Sequence, residues 1–211
     1  MGDRVELRCR CGEVRAVVTE ASPRTVNRVT CYCDDCQAFL HRIGRADLLN
    51  AQGGSDIIQV APSALTFVQG QGRIVGLRLT PKGLFRWYAS CCNTPVGNTL
   101  TPKIPFVGIV AQTFDGGTPH ADEVVGPPIG AILGKYAVGE PPAGSAGLKV
   151  SLILRAIGRV LGWRLRGKAW PHPFFRQGTG EPIYPLTVLS QDERDALRPL
   201  CGPHPTAQPA R

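Results

Sequence analysis

Long apolar runs are missing from this 211-residue sequence, and their absence excludes several classes of protein. Residues 1–10 lack the continuous apolar stretch of a signal peptide, and no later segment reaches the roughly 18 uninterrupted apolar residues that a membrane-spanning helix needs. We therefore expect a cytoplasmic protein. In a reducing compartment the eight cysteines are better explained as metal ligands than as a disulfide framework.

Acidic residues are absent from a long segment in the last third of the chain. No Asp or Glu lies between residues 141 and 180, although the whole chain has 16 acidic and 24 basic residues and a net charge of +8. This segment contains the basic residues Lys149, Arg155, Arg159, Arg164, Arg166, Lys168 and Arg176. Such an excess of positive charge predicts an anionic partner, either an acidic protein or a membrane surface.

Features typical of nucleic-acid-binding proteins are also scarce. The first half of the chain contains no nucleic-acid-binding motif, and few aromatic residues that would stack on bases lie among the basic residues of the last third. We therefore rank nucleic acid last among the anionic partners.

Helices are not expected between most of the strands in the first half of the chain, which excludes a parallel α/β architecture. Strands are predicted where short apolar segments lie between turn residues, at 14–18, 56–60, 65–69, 74–79 and 85–88. One short helix is predicted from Cys33 to Leu40. The predicted fold class is mainly β, with an antiparallel β domain at residues 1–113 and a helical and irregular C-terminal extension.

The extension is predicted in three parts. Glycine and proline are frequent at residues 114–147, which indicates an irregular connection. Residues 148–198 form the basic helical part, and residues 199–211, with four prolines, are predicted to be disordered.

Two helices are predicted within the basic part. Residues 148–166 contain no proline and place apolar residues at steps of three and four. We expect this helix to pack on the β domain through its apolar stripe and to leave Arg155, Arg159 and Arg166 in solvent. A shorter helix is predicted at 191–197, with Ser190 as its cap and Glu193 three residues later.

Seven of the eight cysteines lie in three clusters, which are Cys9 with Cys11, then Cys31, Cys33 and Cys36, then Cys91 with Cys92. Two thiolates one residue apart can bind one ion if the backbone turns between them, and Gly12 supplies the freedom for that turn. Adjacent strands would bring the first and last clusters together. We predict that Cys9, Cys11 and one or both of Cys91 and Cys92 form a closed, structural zinc site.

The middle cluster offers three sulfurs and no fourth cysteine. Three protein ligands leave zinc an open position, where water or a substrate thiol can bind and lose its proton. His41 is either the fourth ligand or a surface residue. Asp34 and Asp35 are expected to cap the following helix, with hydrogen bonding to the metal ligands as the alternative. Two zinc ions are therefore predicted, and Cys201 is expected to bind neither.

Three cysteine motifs resemble those of a known family. They are Cys9-Arg10-Cys11-Gly12, Cys31-Tyr32-Cys33-Asp34-Asp35-Cys36 and Cys92-Asn93-Thr94-Pro95. On these motifs, residues 7–100 resemble the glutathione-dependent formaldehyde-activating enzymes, a family that includes relatives of centromere protein V. The resemblance implies an Mss4-like zinc-bearing β fold with one four-cysteine structural ion and a second ion on the C-x-C-x-x-C cysteines. It also implies that the second ion receives the thiol of glutathione, whose adduct with formaldehyde is the substrate or product.

The sequence departs from the family pattern in two places. The late motif of the family usually reads F-C-x-x-C-G-T, whereas this chain has Ala89 in place of the first cysteine and Asn93 in place of the glycine. Two adjacent thiolates can bind one ion only with an unusual backbone conformation. We therefore expect Cys92 to be a ligand with more support than Cys91. Residues from 114 onward are not covered by the family pattern.

Two functions are compatible with these patterns. In the first, zinc on the middle cluster binds a thiol as thiolate, which adds to or leaves a small carbonyl carbon, as in an S-(hydroxymethyl)glutathione synthase-like carbon-sulfur lyase. Arg42, Arg45 or the basic helix would receive the carboxylates of glutathione. In the second, both ions are structural, and the helix at 148–168 contacts an acidic partner or a membrane surface.

Overall fold

The computed structural model describes residues 3–113, 118–145 and 149–203. The strands in these residues are β1 (Asp3–Arg8), β2 (Arg15–Ala21), β3 (Asn27–Cys31), β4 (Ser55–Val60), β5 (Leu65–Gln69), β6 (Ile74–Arg78), β7 (Phe85–Ala89), β8 (Thr94–Thr99), β9 (Val107–Val110), β10 (Ala131–Ile132) and β11 (Leu186–Val188). The α-helices are α1 (Asp34–Arg42), α2 (Thr118–Val125), α3 (Val150–Leu165) and α4 (Gln191–Asp195).

The strands form two sheets. One has three strands in the order β1-β2-β5, and the other has eight in the order β10-β3-β4-β9-β8-β7-β6-β11. Neighbouring strands pair antiparallel, except that the edge strands β10 and β11 pair parallel with β3 and β6. The predicted mainly β fold is confirmed, and the five predicted strands lie within three residues of their observed ends.

The eight-stranded sheet carries a hydrophobic core on each face, because successive side chains of a strand point to opposite sides. In β7, Trp87 and Ala89 belong to the core shared with the three-stranded sheet. Tyr88 belongs to the core beneath α1, where its ring lies 6.3 Å from that of Phe39. Strand β7 therefore contacts both layers of the protein.

Residues after 113 take part in the same sheet and the same core. Strand β10 extends the sheet beside β3, and β11 extends it beside β6. Phe174 stacks on the buried ring of Trp87 at a centroid distance of 5.0 Å, and Phe175 lies in the same core. The core thus extends across the predicted boundaries at 113 and 147. Short edge strands and isolated aromatic residues have no periodicity, so sequence patterns did not reveal this contribution.

Helix α3 confirms the helix predicted at 148–166, and Arg155 and Arg166 are exposed as expected, but much of the apolar stripe does not pack on the β domain. The guanidinium of Arg155 donates to the side-chain oxygen of Asn27 at 2.9 Å, and Arg159 donates to the carbonyl of Val26 at 3.5 Å. The apolar residues on the other side, such as Leu154 at 64%, are exposed. Long arginine side chains with several donors can satisfy the carbonyls of the β2–β3 connection, and this contact turns the apolar stripe outward.

The C-terminal residues pack against α1. Helix α4 confirms the predicted helix and its capping box, because the Ser190 hydroxyl accepts from the Glu193 N–H at 3.2 Å and the Glu193 carboxylate accepts from the Ser190 N–H at 2.9 Å. The N–H of Gly202 donates to Oε1 of Gln37 at 2.8 Å, so residues 199–203 of the predicted disordered tail are held in place. Residues 204–211 of that tail lie outside the described residues.

None of the helices in the described residues is both long and apolar enough to cross a membrane.

His172 is a buried ionisable side chain in the aromatic part of the core. Its ring lies 4.8 Å from that of Phe175, and its Nδ1 accepts the N–H of Phe174 at 3.1 Å. Among the described residues, its buried Nε2 has no hydrogen-bond partner. Burial lowers the pKa of His172 to about 4.

We predict that His172 makes the fold less stable in acid. The unfolded chain binds a proton at this histidine near pH 6.5 and the folded chain only near pH 4, so the free energy of unfolding should fall by up to about 3 kcal/mol as the pH falls through this interval. His172→Asn keeps an acceptor for the Phe174 N–H but does not titrate. Urea unfolding at both ends of the interval should therefore show a smaller loss in the variant, whereas an equal loss in both proteins would contradict the prediction.

Candidate metal centres

Two hairpin turns bring the first and last cysteine clusters together. Cys9 and Cys11 lie in the turn between β1 and β2, and Cys91 and Cys92 lie in the turn between β7 and β8. The sulfur atoms of Cys9 and Cys11 are 3.5 Å apart, and Cys91 lies 3.9 Å from Cys9, 3.3 Å from Cys11 and 3.9 Å from Cys92. All four sulfurs lie within 4.8 Å of one another. We call this group the outer centre.

The sulfur separations in the outer centre suit a tetrahedral metal ion. Zinc-sulfur bonds of about 2.3 Å at tetrahedral angles place neighbouring sulfurs about 3.8 Å apart. A disulfide would instead need about 2.05 Å, and all eight cysteines are free thiols. The outer centre could therefore hold one metal ion with four protein ligands.

Residues with a left-handed backbone conformation shape both turns of the outer centre. Gly12 has a φ of 81°, as its predicted role requires, and its N–H donates to the Cys9 carbonyl at 2.8 Å. Asn93 has a φ of 55°, a conformation that asparagine tolerates better than most residues. Asn93 thus replaces glycine in the second turn, and the adjacent Cys91 and Cys92 both join the group.

The cysteines of the outer centre differ in pKa, because burial raises the pKa of Cys9 and Cys91 whereas hydrogen bonds favour an anionic sulfur at Cys92. The N–H of Val14 donates to the Cys9 sulfur at 3.2 Å, and the Thr94 hydroxyl lies 3.2 Å from the Cys92 sulfur. Burial acts to raise the pKa of Cys92, but hydrogen bonds from Thr94 and the Cys11 backbone outweigh it and lower the pKa to about 6. Because the thiolate is the form that binds metals, Cys92 is prepared for a cation.

The middle cluster forms a second group, which we call the inner centre. Cys31 ends β3, and Cys33 and Cys36 lie at the start of α1. The three sulfurs lie within 4.8 Å of one another, with Cys31 and Cys36 at 3.9 Å. Cys31 and Cys36 are buried, while Cys33 is only half-buried. Strand β10 supports this segment, since the N–H of Tyr32 donates to the carbonyl of Ile132 at 3.1 Å.

The N-terminus of α1 faces the inner centre. Cys33 is the N-cap residue, and its sulfur accepts the N–H of Cys36 at 3.3 Å. Asp34 and Asp35 lie in the first turn of the helix, so the expectation that they cap it is wrong, because Cys33 holds the cap position. Asp35 instead pairs with Arg194 at 3.3 Å. The positive end of the helix dipole therefore lies where it favours negative charge on the sulfurs.

Arg86 is a residue of the inner centre that sequence analysis missed. It is only 1% exposed, and its Nη1 lies 3.7 Å from the Cys36 sulfur and 3.4 Å from Oδ1 of Asn98. Its guanidinium lies over the Phe39 ring at 5.3 Å. In the described residues its buried Nη2 has no hydrogen-bond partner, and no carboxylate forms an ion pair with it. The sequence feature that could have identified Arg86 is its single charge within the otherwise apolar segment 84–89.

A buried guanidinium is costly unless an anion balances it, and the inner centre provides that anion. Hydrogen bonds from the Cys31 and Cys33 thiols, and then the charge of Arg86, hold the pKa of Cys36 well below its ordinary value. Hydrogen bonds with Cys31 and Cys36, together with burial, raise the pKa of Cys33. A divalent ion on three thiolates would have a net charge of −1, which Arg86 would balance.

Other residues considered in the sequence do not join the inner centre. Among the described residues, no fourth His, Cys, Asp or Glu ligand completes the group, so His41 is not a ligand. Arg42 pairs with Glu193 at 3.2 Å, and Arg45 pairs with Asp47 at 2.8 Å. Each of these two arginines, expected to receive a carboxylate of glutathione, thus has a carboxylate partner within the chain. Cys201 joins neither centre, as expected.

Comparison with known proteins gives a family for the chain. A family of unknown function, DUF6151, matches residues 1–185. The chain belongs to this family. Both centres and Arg86 lie within the DUF6151 match, whereas Cys201 lies outside it.

The other two comparisons say little about the chain. None of the curated proteins matches it. A crystal structure of a Rhodobacter sphaeroides protein is similar with a TM-score of 0.40 and 16% identity, over 60% of this chain and 98% of that chain. At this TM-score, the similarity does not establish a common fold.

We predict that Cys11→Ser removes one metal ion and destabilises the protein. The outer centre joins two hairpins, so loss of its ion should lower the melting temperature by roughly 10 °C or more. Elemental analysis and thermal unfolding measure the two effects. Cys201→Ser, which alters a cysteine of neither centre, is the matched control and should keep both metal content and stability. Full metal content and stability in Cys11→Ser would contradict the assignment.

Proposed function

We propose that this DUF6151 member is a two-zinc protein in which the outer centre stabilises the fold and the inner centre binds a small thiol such as glutathione. The observation that carries the proposal is the difference in ligand number between the two centres. Four sulfurs meet at the outer centre, whereas the inner centre has three and no fourth ligand among the described residues. The domain would then be of the Mss4-like, zinc-bearing kind.

Zinc is the metal that the donor atoms favour. Both groups consist of cysteine sulfurs alone, and thiolate sets at tetrahedral spacing suit zinc better than the oxygen-preferring Mg²⁺ or Ca²⁺. A four-sulfur site leaves no position for a substrate, which supports a structural role for the outer centre. A three-sulfur site leaves one position open, which supports ligand exchange at the inner centre.

The residues around the inner centre suit an anionic fourth ligand. Cys33 is half-buried and is the cysteine of the group nearest to solvent, while Cys31 and Cys36 are buried. Arg86 has a buried donor, Nη2, without a partner in the described residues, and an incoming thiolate would supply an acceptor. Zinc bound at this site would lower the pKa of an incoming thiol.

The reaction that fits these features is reversible addition of a thiol to a small aldehyde. The thiol loses its proton, its sulfur forms a bond to the carbonyl carbon, and the carbonyl oxygen takes a proton. With glutathione and formaldehyde the product is S-(hydroxymethyl)glutathione, and the reverse reaction is that of a carbon-sulfur lyase. No oxidant or reductant is needed. Arg86 would position the sulfur through a hydrogen bond and balance its charge.

A second candidate is a non-catalytic protein in which zinc only stabilises the fold and α3 binds an anionic partner. The observation that favours it is the exposed apolar side of α3, where Leu154 is 64% and Leu165 is 87% exposed. The two candidates differ in whether the inner centre exchanges its fourth ligand.

We predict that glutathione changes the absorption spectrum of the cobalt-substituted protein, because a thiolate would replace water on the inner ion. S-methylglutathione, which has no free thiol, is the matched control and should leave the spectrum unchanged. Cys36→Ser should abolish the response while the fold persists. An unchanged spectrum with glutathione, or an equal response to S-methylglutathione, would contradict an exchangeable thiol site.

We predict that Arg86→Gln weakens glutathione binding to the cobalt-substituted protein by roughly tenfold or more, because a buried charge and its hydrogen bond to the thiolate are lost. Arg86→Lys keeps the charge and should retain part of the affinity. Arg42→Gln changes an exposed arginine that already pairs with Glu193, so its affinity should match the wild type. Titrations followed by cobalt absorption measure all three, and unaltered affinity in a folded Arg86→Gln variant would contradict the role of Arg86.

A further inference from the structure

Helix α3 exposes a continuous apolar stripe. Six residues between 37% and 87% exposed form it, namely Val150, Ile153, Leu154, Ile157, Leu161 and Leu165. At about 100° per residue they fall on one side of the helix. At one edge of this side Ile153 and Ile157 line an apolar pocket with Ile132 of the sheet, and the other four residues are exposed. Contiguous apolar patches of this kind mark surfaces that bind a partner or a membrane.

A cationic groove runs beside the stripe. Its volume is about 520 Å3, and its charged lining residues are Arg24, Arg155, Arg159, Arg166, Lys168 and one acidic residue, Glu20. Gly158 and Gly162 also line it, between the apolar stripe and the arginines on the helix surface. Glycine is unfavourable inside a helix, and here the lack of side chains leaves the groove open next to the stripe.

Most of the positive charge in the groove is not neutralised. Arg155 donates to the side-chain oxygen of Asn27 at 2.9 Å, while Arg159 and Arg166 donate to backbone carbonyls. These acceptors are uncharged, and in the described part of the chain only Lys168 among the groove's cations forms an ion pair. Burial, and then the neighbouring charges of Arg155 and Arg166, lower the pKa of Arg159, which indicates mutual repulsion. An anion in the groove would relieve this repulsion.

We propose that α3 docks on the surface of an anionic lipid bilayer, with its apolar stripe in the acyl boundary and the cationic groove on the headgroup phosphates. The stripe and the groove lie on adjacent sides of one helix, so a single orientation satisfies both. Amphipathic helices with basic residues next to an apolar face bind membranes in this way. No carboxylate occurs between residues 141 and 180 to oppose the negative surface.

The adjacent stripe and groove disfavour two other binding partners, a second copy of the chain and a nucleic acid. A second copy of the chain, packed stripe to stripe about a twofold axis, would bring two cationic grooves close together, and their charges would repel. Nucleic acid would fill the groove with phosphate but leave the stripe in water. A bilayer of anionic lipid is the surface that supplies both chemistries.

The test is flotation of the full-length, metal-loaded protein with lipid vesicles. Vesicles of phosphatidylcholine with part of the lipid replaced by phosphatidylglycerol should bind the protein, and vesicles of phosphatidylcholine alone should bind it at least about tenfold more weakly. High salt should weaken the binding. The metal centres do not enter this measurement, so its result is independent of the thiol proposal.

Variants separate the stripe from the groove. Leu154→Gln combined with Leu161→Gln should weaken binding by at least about tenfold, whereas Leu200→Gln, an exposed leucine outside α3, should leave it unchanged. Arg166→Gln should weaken binding roughly fivefold, and Arg176→Gln, an exposed arginine outside the groove, should have little effect.

Three results would overturn the proposal. The first is equal binding to both kinds of vesicle, or none to either. The second is lipid binding that the stripe variant leaves intact. The third is a dimer in light scattering without lipid that Leu154→Gln with Leu161→Gln dissociates, because a second copy would then cover the stripe.

Discussion

The close approach of four sulfur atoms at the outer centre is the constraint on which the rest of the structure depends. Their turns belong to different sheets, so one ion at this point would join β1 and β2 to β7 and β8. Of the four cysteines only Cys11 is exposed, and Cys92 has a lowered pKa, so their sulfurs are unfavourable neighbours without a cation. Strand β7 ends at this turn and contacts both layers of the protein. Fixing its end fixes the position of Arg86, three residues before Ala89, beside the inner centre.

The two centres use the same ligand chemistry in different surroundings. The outer sulfurs of Cys9 and Cys92 have uncharged hydrogen-bond partners, the Val14 N–H and the Thr94 hydroxyl. The inner sulfurs lie at the N-terminus of α1 and next to the buried charge of Arg86. A positive environment stabilises a more negative set of ligands, and additional anionic ligands would be the ones it attracts. The two proposed roles, structural and thiol-binding, are thus distinguished by neighbouring residues as well as by the number of cysteines.

Local sequence patterns predicted the features that depend on neighbouring residues in the chain. The strands, the left-handed turn at Gly12 and the capping box at Ser190 are of this kind. Features that depend on residues far apart in the sequence were harder to predict. The cysteine spacing predicted which clusters would meet, but the partnership of Cys91 and Cys92 depends on the left-handed Asn93, which no spacing indicates. Arg86 was missed because its partner, Cys36, lies 50 residues away on another element.

The orientation of α3 shows a further limit of prediction from hydrophobic periodicity. It also links the C-terminal extension to the inner centre. A helix with an apolar side and a basic side can pack through either, and here Arg155 and Arg159 donate to backbone carbonyls of the β2–β3 connection. The side chain of Leu152 then lies against Gly130. A Cβ atom at residue 130 would be only 2.9 Å from Cδ1 of Leu152. Gly130 leads into β10, which pairs with Cys31 through Ile132. Leu152 therefore links α3 to the strand that supports the inner centre.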